Sequence, residues 1–120
     1  MTTYTLCKNV KAVQAAPANG LLPTGSQSVN PNRMSSPIND QAQTFHVVVT
    51  TTSGNGSATV QPMVSNDDVN WLAYGAPIVV ASGASPAQAA GNGSQPWERY
   101  TAYVTAISGT GASVTCTMGA

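Results

Sequence analysis

The chain has 120 residues, room for one domain with a hydrophobic core and not for two. Only 7% of them are charged, against roughly a quarter in an ordinary soluble domain, and four basic residues balance four acidic ones. This composition argues against nucleic acid, since four scattered cations release few counterions, and no run approaches the ~20 apolar residues of a membrane helix. A surface of Thr, Ser, Asn, Gln and Gly without self-repulsion suits permanent packing in an assembly.

The start, Met1-Thr2-Thr3-Tyr4, lacks the basic and apolar regions of a signal peptide, so synthesis and retention in the cytosol are expected. There, Cys7 and Cys116 are expected to stay reduced, Cys116 as a small buried apolar side chain. Residues 1–42 read as an extended arm. From Ala15 to Asp40 the segment carries Pro17, Pro23, Pro31 and Pro37 among Asn, Ser and Gly, a composition that breaks both helix and ladder. The opening run Tyr4 to Val13 and the patch Leu21-Leu22 suggest that the arm lies against its own domain or a neighbour. Its prolines favour ordering chiefly by a neighbouring chain.

Residues 43–120 read as an all-β domain, an antiparallel β-sandwich or jelly roll. Thr44 to Thr52 and Ser57 to Ser65 are expected to pair through a type I′ turn at Asn55-Gly56, with Val49 opposite Pro62 and Val47 opposite Val64. Phe45, Val47, Val49, Val60, Pro62 and Val64 then share one face, and His46, Thr50, Thr59 and Gln61 the other. Pro62 implies an edge or a bulge, because it cannot donate to a ladder. Trp71 to Tyr74 and Ile78 to Ala81 read as short strands, and Ser82 to Gln95 as a loop. A second hairpin, Tyr100 to Ser108 with Ala112 to Gly119, is expected around Gly109-Thr110-Gly111. It sets Ala106, Val104 and Ala102 against Val114, Cys116 and Met118, and turns Thr101, Tyr103, Thr105, Ser113, Thr115 and Thr117 outward.

The residues offer little catalytic chemistry. His46, the one histidine, sits inside an expected strand without a local motif to pair it with Cys7 or Cys116 as a nucleophile. Two cysteines and one histidine, widely spaced, make no zinc pattern. Asp67-Asp68 lacks the alternation and terminal Glu of a calcium loop and reads as a turn in which Asn and Asp cap their own backbone, with Trp71 anchoring the next strand in the core. Gly91-Asn92-Gly93-Ser94 has no phosphate-loop lysine. No enzyme activity, cofactor or metal is expected. Trp97, Tyr100 and Tyr103 could stack on sugar rings, but packing in the core and at an interface beside Pro96 is the favoured reading.

Three patterns in order, Ser65-Asn66-Asp67-Asp68-Val69-Asn70-Trp71, Pro96-Trp97-Glu98-Arg99-Tyr100 and Val104-Thr105-Ala106-Ile107-Ser108-Gly109-Thr110-Gly111-Ala112, carry a resemblance. From about Thr44 onward the chain resembles small β-rich structural proteins of tailed bacteriophages, among them head decoration or cement proteins and tail components. The resemblance implies a virion part on the capsid exterior, without an active site, bound to the major capsid protein. A homo-oligomer goes with it, a trimer ahead of a dimer, with no nucleic acid and no membrane as partner. Interface residues are then expected at Leu21, Leu22, Arg33, Trp97, Tyr100 and Tyr103. The alternative is a tail or fibre module that binds a host glycan through Trp97, Tyr100 and Tyr103.

Overall fold

The computed structural model describes residues 2–31 and 42–120. The strands among them, in chain order, are β1 (Thr3–Val10), β2 (Gln43–Thr50), β3 (Ser53–Ser65), β4 (Leu72–Ala73), β5 (Ile78–Ala84), β6 (Ala87–Gly93), β7 (Arg99–Thr110) and β8 (Ser113–Gly119). Every pairing is antiparallel. One sheet runs β1-β8-β2-β6; in the other, β3 has β7 on one side and β5 followed by β4 on the other. The result is an all-β sandwich.

Alternation along each strand builds the layer between the sheets. β2 buries Gln43, Phe45, Val47 and Val49 and exposes Thr44, His46 and Thr50. β8 buries Val114, Cys116 and Met118, β7 buries Tyr100, Ala102 and Val104, and β1 adds Leu6, Cys7 and Val10. Branched and small side chains on pleated strands interdigitate well at this spacing. The second sheet also buries part of its outer face, since Gln61, Met63, Ser65 and Thr101 are covered. Outward solvation of Thr101 is therefore overturned, and Trp71 is half-buried outside the main core cluster.

Neither expected hairpin forms. β2 pairs with β8 and β6 (Val47 opposite Cys116 and Ala89), whereas β3 belongs to the other sheet. Asn55 and Gly56 lie inside β3 without positive φ. Gly56 answers a close approach instead: a Cβ there would stand 2.6 Å from the Thr51 methyl. Likewise β7 pairs with β3 and β8 with β1 and β2, so the turn at Gly109 and Gly111, both at positive φ, is a corner between sheets. The two corners are stitched, with the Thr52 amide and hydroxyl both donating to the Thr110 carbonyl (3.0 and 3.1 Å).

Pro62 sits in a central strand. Its carbonyl accepts the Tyr74 amide at 2.9 Å, at the break between β5 and β4, where no N–H of its own is asked for. The segment read as a loop from Ser82 to Gln95 contains the end of β5 and all of β6, which pairs with β2 from Ala87 to Gly93. Ala, Gly and Ser do not advertise a strand, yet the neighbours impose one.

Candidate interaction surface

A sandwich has two open sides, each with the edge strands of both sheets. On one side stand β1 and β7; on the other, β6 and β5 with β4. Unpaired edge amides and carbonyls recruit further strands unless covered, charged or broken by proline.

The chain covers the first side itself. Beyond β1 it returns so that the Lys8 amide donates to Gly25 O (2.9 Å) and the Gln27 amide to Leu6 O (2.9 Å), which caps the outer edge of β1. The same strap reaches β7. Val29 and Tyr100 exchange both backbone hydrogen bonds (2.8 and 2.9 Å), the Ser26 hydroxyl donates to Ala102 O (2.6 Å), and the Gln14 amide donates to Val104 O (2.9 Å). Gln14 also acts as a strand with its side chain: its Oε1 accepts the Val104 amide at 2.8 Å while its Nε2 donates to Thr24 O and Ser26 Oγ. Residues 2–31 thus lie on their own domain, Thr3–Val10 as a strand of its sheet and the remainder as a strap that turns at Ala18–Leu21 and at Pro23–Ser26. Pro17 and Pro31 are buried there.

No described residue outside the sheets hydrogen-bonds through its backbone to β5 or β6, so among the described residues nothing covers the second side. It also lacks the usual safeguards. No charged residue stands between Asp68 and Glu98, a stretch that contains β4, β5 and β6 entire. Leu72 on β4 and Val79 on β5 are 60% and 64% exposed, and Val69 beside β4 is exposed as well. Charges of the described residues gather at the two ends. Lys11 lies by the Thr110–Ser113 corner, where Val10 meets Val114, with Lys8 three residues before it on β1; Asp67, Asp68, Glu98 and Arg99 lie where β3 finishes opposite Arg99.

The expected interface residues scatter. Leu21 is 75% exposed on a turn bridged to Ala18, next to the Gly20 amide that donates to Val69 O (3.1 Å). Leu22 and Tyr103 are half-buried, Trp97 packs partly against the core, and Arg33 lies outside the described residues. Tyr100 is a correction. It is fully buried, and its ring meets Tyr74 edge-on at 6.1 Å. Its hydroxyl accepts from the Trp97 amide (2.8 Å) and Gln43 Nε2 (3.2 Å) and donates to Gln95 O (3.0 Å). The Tyr74 hydroxyl donates to Gln43 Oε1 at 2.6 Å and accepts the Gln95 amide at 2.9 Å. This buried polar cluster ties β2 to the segments that enter β5 and β7. Sequence reasoning missed Gln14, Ser26, Gln43 and Tyr74, because a lone Gln or Tyr carries no signal of its long-range partner.

Asp67 forms the turn read from its neighbours. Its Oδ1 accepts the Val69 and Asn70 amides (2.9 and 2.8 Å) and the Ser65 hydroxyl (3.0 Å), and its Oδ2 accepts Asn70 Nδ2 (2.7 Å). The hydrogen bonds from Asn70, backbone then side chain, followed by those from Val69 and Ser65, hold the carboxyl well below the usual carboxylate range. Asp68 donates its own amide to Ser65 Oγ and accepts the Ser28 hydroxyl at 2.6 Å, a tie to the strap. His46 is on the outer face of its sheet, 2.7 Å from Gln88 Oε1, whereas both cysteines are in the core. Among the described residues no three of His, Cys, Asp and Glu converge as a metal site would need.

The fold and this surface define a small antiparallel β-sandwich with one side closed by its own strap. Comparison with family models, with curated proteins and with solved structures returned no match.

Proposed function

We propose that the chain is a non-enzymatic structural protein of a virion, a decoration protein that bridges major capsid subunits on the outside of a tailed-phage head. The observation that carries this reading is the side of the sandwich that no described residue covers: an uncharged pair of edges, β5 and β6, flanked by exposed Leu72 and Val79. A monomer in free solution gains nothing from leaving such edges open, and a lattice component uses them. Many weak neutral contacts, repeated by symmetry, give firm attachment without ion pairs. A closed homo-oligomer, with a trimer at a lattice symmetry position, is the arrangement that multiplies them best.

The test is to mix purified protein with capsids assembled without it, over a wide salt range, counting bound copies and following shell melting. The reading expects copies in the hundreds, a shell that melts at higher temperature, and binding that hardly changes with salt. Few copies, a steep loss of binding with salt, or capture of a glycan in place of capsid would overturn it, the last in favour of a tail or fibre module.

A further inference from the structure

The two cysteines stand at opposite ends of the sequence, but the fold brings them face to face. In the antiparallel pairing of β1 and β8, Cys7 is the partner of Cys116 between two register shifts, one after Thr5 and one before Val10, in a row that continues through Val47 on β2 to Ala89 on β6. Directly opposed residues of an antiparallel pair have Cα atoms about 4.5 to 5.5 Å apart, and here the irregular register turns both Leu6 and Cys7 into the core, where the Cys7 thiol lies close enough to act electrostatically on that of Cys116. A disulfide needs Cα atoms roughly 4.4 to 6.8 Å apart. Both side chains are wholly buried in the core, both are free thiols, and the Cys7 sulfur is hydrogen-bonded to the Cys116 backbone.

We propose that Cys7 and Cys116 are a cross-strand disulfide site, a covalent clip that joins the first strand to the last with little movement of either. β1 is the edge strand of its sheet, so loosening of β1 and its strap is the natural way for an oxidant to reach the pair. Burial pushes the Cys7 thiol up to about 11 and Cys116 higher still, so the closed fold protects both and Cys7 is the easier one to ionise. With glutathione disulfide as oxidant, the Cys7 thiolate attacks one of its sulfurs and releases one glutathione. The Cys116 thiolate then displaces the second, so that two protein thiols and one glutathione disulfide become one protein disulfide and two glutathione thiols.

The clip would close a loop from residue 7 to residue 116, almost the whole chain, where the loss of unfolded-state freedom is greatest. It would also fasten the strand from which the strap over β7 starts. The chemistry does not depend on the virion reading. If that reading holds, the pair stays reduced in the cell and closes after release into an oxidising exterior.

The experiment is to unfold the full chain, refold it in a buffer of reduced and oxidised glutathione, and map the product by mass spectrometry under non-reducing conditions. Denaturant unfolding of that product is then compared with the fully reduced chain and with Cys7→Ala and Cys116→Ala. The expected product is a monomer with a Cys7–Cys116 linked peptide and a urea midpoint higher than the reduced chain by roughly 1 M or more. In the two variants, the redox buffer leaves the midpoint where the reduced variant has it. Two free thiols after refolding, glutathione retained on either cysteine, cross-linked dimers, or a linked monomer with a lowered midpoint would each overturn the assignment.

Discussion

The β1/β7 side and the β5/β6 side of this sandwich face the same physical problem and treat it in opposite ways. Both present strand edges with few or no charges, only Lys8 on β1 and Arg99 at the start of β7 on the first side and none on the second. On the first, the strap supplies a partner for each outward group of Tyr100 and Val104 and for the Ala102 carbonyl, using backbone where the chain runs alongside and Gln14 and Ser26 where it does not. On the second, no such partner is present among the described residues. Low charge thus has two meanings in one molecule. Where the chain closes its own edge, charge is unnecessary; where the edge is bare, missing charge leaves it ready to pair.

Removing residues 1–31 should break this contrast most severely. The deletion takes Leu6, Cys7 and Val10 from the core and uncovers β8 and β7 together, so loss of the cooperative thermal transition is expected. A truncated chain that melts like the full one would show the strap to be an accessory. Val104→Asp should come next, at on the order of 4 kcal/mol or more, because it places an unpaired carboxylate between the sheets. Denaturant melts unchanged from wild type would contradict the position given to Val104.

Gln14→Ala sharpens the comparison more finely. It leaves the Val104 amide without its acceptor and removes two further bonds to the strap, which should cost about 1–3 kcal/mol by urea unfolding. Asp67 gives a pH signature of smaller size. Its carboxyl titrates lower in the folded chain than in the unfolded one, so the stabilisation is complete above the ordinary carboxylate pKa and is lost as pH falls through the depressed folded value. Asp67→Asn should flatten the acid limb of a stability–pH curve, and an identical limb would remove the role given to that turn. On the bare side, Ala90→Lys on exposed β6 should change monomer stability by no more than about 0.5 kcal/mol. Under the proposed function it should nonetheless reduce capsid binding sharply, and full binding would place the attachment elsewhere.

Which way most core side chains face was legible in the sequence, and which strand lies beside which was not; Ala106, expected inward, is exposed, because the register of β3 and β7 shifts between Thr59 and Val60 and turns Ile107 to the core in its place. Phe45, Val47, Val49, Ala102, Val104, Cys116 and Met118 are inward as expected. In a sandwich, however, a strand that turns back within its sheet and one that crosses to the other sheet show the same alternation. The glycines misled in two ways. Gly111 does turn the chain, at positive φ, but between sheets, and Gly56 marks a tight approach to Thr51 inside a strand. The expected surface fared similarly. The Leu21-Leu22 patch suggests a segment lying against something, and Leu21 is exposed in the free chain, whereas the burial of Tyr100 follows from Gln43 and Gln95, far apart in sequence, which satisfy its hydroxyl. The facing of Cys7 and Cys116 required knowing that the first and last strands pair.

Amide hydrogen exchange, resolved residue by residue on the free chain, tests the difference between the two sides most directly. The account predicts slow exchange at Tyr100 and Val104, although both amides point away from the sheet that contains them, because Val29 and Gln14 accept from them. Alternate amides of β6, pointing away from β2, should exchange quickly. Fast exchange at Tyr100 and Val104, or equal protection of both sides in the free chain, would contradict it.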